Sequence, residues 1–207
     1  MEIGKQKRIL WDTCICIDYI QAKYNNENYK IKENDKDNLE SINKIWERYS
    51  QGKIEIFAST LVIVESVKIE GLMPPIQVLY ARKFFEAIRE NVISVGIDVA
   101  IKAHAIRSIA QIKLSQYDSI HLASAMVGDI PIVITNDKGI LERDNKYKTG
   151  KGNYIRILTP QRYIELILEE EKQKREDKKQ KEIVNHIQKD KEIGQGRIFD
   201  EFEESEK

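Results

Sequence analysis

The stretch Ile9-Leu10-Trp11-Asp12-Thr13-Cys14-Ile15-Cys16-Ile17 sets the reading of the whole chain. An apolar run entered from Arg8 is stopped by an acid, and the apolar residues beyond it change spacing. Arg8 to Leu10 with Trp11 reads as a short buried strand. From Thr13 to Lys23, Ile15, Tyr19, Ile20 and Ala22 fall at helix-compatible spacing, with Thr13 placed to cap the helix. A strand that passes through an acid directly into a helix is how an α/β unit opens.

The alternation continues along the chain. A polar stretch, Tyr24 to Asp37, reads as an exposed loop, and Asn38 to Gln51 as an amphipathic helix closed by Gly52. Ile54, Ile56 and Phe57 mark a second strand. Ser59 and Thr60 offer caps for a helix that carries Glu65 about a turn and a half in. Gly71 and Pro74-Pro75 break the chain before a helix over 76–90. Val92 to Val95 reads as a strand and Asp98 to Leu114 as a helix. Asp118 opens the helix of Ser119-Ile120-His121-Leu122-Ala123-Ser124-Ala125. Ile132 to Thr135 and Ile155 to Leu158 are the last strands. Strands alternating with helices predict a three-layer α/β/α sandwich with a mostly parallel central sheet.

At 207 residues, one good core with an appendage is the simplest count. The expected body is 8–160, and 161–207 is a charged helical extension. Beyond Leu168 the run Glu169 to Glu182 has no apolar residue, which reads as a solvated helix that frays into a disordered or partner-binding tail. Basic and acidic residues balance at 34 each, so any nucleic-acid contact rests on a local patch and not on bulk charge. The two cysteines, Cys14 and Cys16, are too close to bridge and too few for a zinc set, and read as buried small side chains. No apolar run approaches the ~20 residues that span a bilayer, so no membrane partner and a cytoplasmic location are expected.

Four acids, Asp12, Glu65, Asp118 and Asp137, stand within or just after apolar stretches. Asp12 and Asp137 follow strand ends, Asp118 starts a helix, and Glu65 reaches the same edge. In open α/β sheets that edge is where ligands bind. Grouped carboxylates repel one another unless a cation is shared, and hard oxygen donors suit Mg²⁺ or Mn²⁺. Each acid also has a plainer reading: Asp12 and Asp118 as helix caps, Asp137 as a turn residue, Glu65 as a solvent-facing helix residue. Asp98 is read as a cap, His121 as a packing or hydrogen-bonding residue, and Trp11 and Trp46 as core.

Together the phrases resemble the PIN-domain nucleases, most closely the small VapC-like ribonuclease toxins of toxin–antitoxin systems. The matching residues are Asp12-Thr13 after the first strand, Glu65 after the second, Asp118, His121, Ala123 and Ala125 in a D-x-x-H-x-A-x-A phrase, and Thr135 with Asp137 in T-x-D. The resemblance covers roughly residues 8 to 160. It implies Mg²⁺- or Mn²⁺-dependent cleavage of single-stranded RNA. Asp12 and Asp118 would be metal ligands, Glu65 and Asp137 would complete the pocket, and Thr13 and Thr135 would donate supporting hydrogen bonds. It also implies a small antitoxin partner and a homodimer. The chain departs from the family at Cys14, where Asn or a small polar residue is frequent. The competing expectation is a PIN-like module that binds RNA or protein without cutting, its charged tail docking the partner.

Overall fold

The computed structural model describes residues 7–24, 36–66, 74–109 and 114–204. Residues 25–35, within the polar stretch read as a loop, and Gly71 lie outside that set, as do the side chains beyond Glu182. Among the described residues, five strands form one parallel sheet in the order β3-β2-β1-β4-β5. They are β1 (Lys7–Trp11), β2 (Ile54–Ser59), β3 (Val92–Ile93), β4 (Ile132–Ile134) and β5 (Arg156–Leu158). The chain builds outward from β1 through β2 to β3, then returns to the other side of β1 for β4 and β5. That reversal falls between β1 and β4, the point at the carboxyl edge where open α/β sheets take ligands.

The pleat of β1 sorts the two cores. Leu10 joins Phe57 and Val133 in one apolar cluster with Val99, Ala103 and Ile106 of α5 (Ile97–Ile109) and Leu122 and Ala123 of α6 (Gln116–Val127). Trp11, pointing the other way as strand alternation requires, meets Tyr19 of α1 (Thr13–Tyr24), Trp46 of α2 (Lys36–Ser50) and Phe84 of α4 (Pro74–Ala87) in an aromatic cluster. Trp11 is fully buried and Trp46 half-buried. Helices therefore cover both faces, giving the expected sandwich with a sheet that is parallel throughout.

Several boundaries differ from the sequence reading for local reasons. Helix α2 begins at Lys36, two residues before the expected Asn38. Its end is as expected: Gly52, at φ 67°, and Lys53 return N–H groups to Tyr49 O (2.8 Å) and Arg48 O (2.9 Å), closing a Schellman turn. Pro74 starts α4, because the first helical position needs no N–H and suits a fixed φ. The helix stops at Ala87 and a 3₁₀ turn, Arg89–Asn91, leads into β3, only two residues long. Helix α5 starts at Ile97 and ends at Ile109, so Asp98 sits inside its first turn and is not a cap.

Helix α6 starts two residues before Asp118, with Ser115 as its cap. The remaining helices are α3 (Thr60–Glu65), α7 (Lys138–Leu141) and α8 (Pro160–Glu204). Helix α8 runs to Glu204 and contains the charged extension expected from the sequence. Compact units divide within it, Met1–Ile164 and Glu165–Lys207. The exposed run of the second unit carries i,i+4 pairs, Lys172–Glu176 at 4.0 Å and Lys178–Glu182 at 3.8 Å. No described helix is long and apolar enough to cross a membrane.

Candidate functional site

Asp12 emerges from β1 at the reversal point and is almost fully buried. A buried carboxylate needs donors, and Asp12 has four. Its Oδ1 accepts from the Thr13 N–H (2.7 Å) and lies 3.2 Å from His121 Nε2. Its Oδ2 accepts from Thr135 Oγ1 (2.7 Å) and, weakly, from the Cys14 thiol (3.4 Å). The Asp12 carbonyl takes the first helical N–H groups, from Ile15 and Cys16, so Asp12 heads α1. Thr13, expected to cap, is instead the first helical residue, and its hydroxyl donates to Glu65 Oε2.

Glu65, the last residue of α3, turns its carboxylate back to this point, with Oε2 3.3 Å from His121 Nε2. One imidazole nitrogen thus serves both acids, while Nδ1 faces Ser59 Oγ at 3.4 Å. Ser59 precedes α3 but makes no side-chain cap. Burial works against a charge on His121, yet the Glu65 hydrogen bond and the charges of Asp12, Glu65 and Asp118 outweigh it and hold the imidazole above its ordinary value. Burial likewise opposes ionisation of Glu65. Its hydrogen bonds from His121 and Thr13 prevail and hold the carboxyl below the usual range.

Asp118 belongs to this field but not to this hydrogen-bonded group. It is the third residue of α6, and its Oδ2 accepts from Ser115 N (3.1 Å) while Ser115 Oγ accepts from Asp118 N (3.1 Å). This reciprocal capping box corrects the expectation that Asp118 opens the helix; Ser115 does. The S-x-x-D spacing at 115–118 was the available signal. Asp137, also a helix cap, accepts from Ile140 N (3.0 Å) through Oδ1, so its plainer reading as a turn residue becomes a cap on α7. It touches the centre only through Thr135: the Asp137 N–H donates to Thr135 Oγ1 (2.9 Å), which donates to Asp12.

The structure therefore brings Asp12, Thr13 and Glu65 together on His121 and ties Thr135 to Asp12. It sets Asp118 and Asp137 at the margin in capping roles. His121 is the hydrogen-bonding residue its phrase suggested, and one of its nitrogens lies near both acids. Asp18 was missed altogether: its Oδ2 accepts from Asn38 Nδ2 (3.2 Å) and Asn136 Nδ2 (3.4 Å). That contact joins residues 118 positions apart, and no local pattern announces it. Cys14 takes the Asn136 N–H on its sulfur (3.4 Å); burial, then the charge of Asp12, pushes its thiol well up, so it stays protonated. Lys102, Arg107 and Lys138 are exposed, as is Tyr117.

Carboxylate and hydroxyl oxygens are the donors a hard divalent cation takes, and Asp12 and Glu65 supply the carboxylates while Thr13 and Thr135 supply the hydroxyls. In that chemical sense the residues fit Mg²⁺ or Mn²⁺. Among the described residues, however, no three His, Cys, Asp or Glu side chains are grouped as a metal site.

No protein-family model and no curated protein matches the sequence. Solved structures do. A chain of VapBC2 from Rickettsia felis bound to a promoter DNA fragment superposes with a TM-score of 0.51 at 11% identity, over 73% of this chain and 98% of that one. A chain of DNA-bound VapBC from Salmonella typhimurium gives 0.51 at 21% identity, over 75% and 99%. At those identities the likeness establishes architecture, and the chain has the PIN-like α/β/α fold that its motifs foretold.

Proposed function

We propose that the chain is a metal-dependent endoribonuclease that cleaves single-stranded RNA, acting as the toxin of a type II toxin–antitoxin pair. The observation that carries this reading is that the carboxylates of Asp12, after β1, and Glu65, at the end of α3, are brought to one point of the carboxyl edge, where Thr13 links them and Thr135 donates to Asp12.

Asp12, Glu65 and Asp118 would hold Mg²⁺ or Mn²⁺, with Asp137 completing the pocket. The chemistry supplied there is neutralisation of phosphate charge and acidification of a water. The side chains do the rest. Thr135 and Thr13 fix the Asp12 and Glu65 carboxylates by hydroxyl donation. Glu65, the more exposed of the two at 24% of its side chain, would orient or deprotonate the attacking water. The antitoxin partner is proposed from the resemblance, supported by the two VapBC complexes that share the fold.

One observation favours a second reading, the non-cleaving module: His121 already occupies the position between the acids. Incubating labelled single-stranded RNA with Mn²⁺ and the parent, Asp12→Ala or Asp118→Ala separates the two. Cleavage by the parent alone, stopped by EDTA, is expected. Equal behaviour of all three proteins sinks the nuclease reading. For the toxin role, growth arrest on expression of the parent but not of Asp12→Ala is expected.

A further inference from the structure

The segment between α7 and β5 has no part in the acidic centre. Lys148 and Tyr154 pair as an antiparallel bridge, Ile155 N donates to Tyr147 O (2.9 Å) and Thr149 N to Asn153 O (2.9 Å), so residues 147–155 form a small hairpin. Its tip turns through Gly152 at φ 83°. The hairpin leads into Arg156, which pairs with Ile132, the first residue of β4. It therefore stands at the amino-terminal edge of the sheet, opposite Asp12.

The hairpin is pinned. Gly150 N donates to Met126 O (3.1 Å), Lys151 N to Asp129 Oδ1 (2.8 Å), and Tyr147 packs on the apolar cluster. A Cβ at position 150 would lie 3.1 Å from Asp129 Oδ1, so a side chain there would press on the carboxylate that holds Lys151 N.

Its charge is one-sided in a chain whose formal net charge is zero. Over 143–156 there are Arg143, Lys146, Lys148, Lys151 and Arg156 against Asp144 alone. Arg156 is met by Asp144 (3.4 Å), Lys151 by Asp129 (3.7 Å) and Arg143 by Glu142 (3.9 Å). Lys146 and Lys148 are exposed and have no carboxylate partner among the described residues. The Lys148 ammonium lies 4.5 Å from the Tyr154 ring centroid, and that tyrosine is 56% exposed.

We propose that this hairpin is a binding element for single-stranded nucleic acid, separate from the acidic centre and independent of whether that centre cleaves. Lys146 and Lys148 meet phosphates, and the Tyr154 ring, held under an ammonium on a pre-ordered ribbon, stacks a base. An acidic peptide would satisfy the lysines but leave the flat ring unused. Because the ribbon is already pinned, binding carries little ordering cost.

The test uses the full chain in EDTA, with fluorescence anisotropy of labelled oligo(U) RNA and oligo(dT) DNA of equal length across a salt series. For Lys146→Gln/Lys148→Gln the log–log salt slope falls by about 1.4, roughly 0.7 per phosphate contact on a single strand. Tyr154→Ala weakens binding roughly 5-fold or more. Lys146→Arg/Lys148→Arg, which keeps the charge, binds as the parent does and guards against a folding artefact. Binding of RNA alone, of DNA alone or of both supports the element and identifies its source. An unchanged slope in the glutamine variant, or polyglutamate competing as well as RNA, overturns it.

Discussion

The two edges of the sheet are made of different residues. At the carboxyl edge every strand hands over to an acid or hydroxyl: Asp12 after β1, Ser59 at the end of β2, Ser94 after β3, Thr135 after β4 and Thr159 after β5. At the amino edge the approaches to strands carry the described residues with positive φ: Gly52 before β2, Asp129 before β4, Asn145 and Gly152 before β5. Chain polarity explains the split. A strand leading into a helix favours side chains that can accept from free N–H groups, whereas a helix leading into a strand often reverses through left-handed backbone. In a parallel sheet all the first kind collect at one edge. That edge becomes acidic and hydroxyl-rich before any function is asked of it, and placing chemistry there takes few further substitutions.

The contrast breaks most visibly at Asp12. If the carboxyl edge is a catalytic centre, Asp12→Ala lowers single-stranded RNA cleavage at least about 100-fold, because even groups that only support a metal ligand are worth about 10–100-fold. Oligonucleotide binding at the amino-edge hairpin should survive EDTA while cleavage does not. Loss of both together would mean that the edges are not separate.

His121 comes next. It is almost fully buried and shared by Asp12 and Glu65. His121→Ala removes the imidazole that Asp12 and Glu65 share and should lower the unfolding free energy of the metal-free protein by roughly 2 kcal/mol, read from urea denaturation. A loss near zero would mean that water replaces the imidazole at no cost.

Much of this was legible beforehand. Strands ending at Asp12 and Thr135, the alternation with helices and the Gly52 stop are local patterns, and each survives in the fold. What failed was also local in a sense: Thr13 was read as a cap because it is a good capping residue, yet the residue before it caps better and the Thr13 hydroxyl is drawn to Glu65. The role of His121, the Ser59 contact and the Asp18–Asn136 link depend on strands being neighbours in space. The order in which β4 returns beside β1 cannot be read from spacing along the chain.

The amino edge offers its own test. Gly52→Ala forces a side chain into φ 67°, which costs about 1.5 kcal/mol, while leaving RNA cleavage unchanged. The same loss of stability accompanied by loss of cleavage would show that the acidic centre is coupled to the turn on the far side of the sheet.

The smallest effect divides two roles of one residue. Asp118 both completes the Ser115 capping box and adds its charge at His121. Ser115→Ala removes the cap and should cost about 1 kcal/mol with cleavage intact. Asp118→Asn keeps an oxygen to accept the Ser115 N–H, so stability should change less than in Ser115→Ala, but the charge is lost and cleavage should fall with it. Measured side by side, thermal melts and cleavage rates should move in opposite order for the two variants. If they move together, Asp118 is a helix cap and nothing more, and the acidic centre contracts to Asp12 and Glu65.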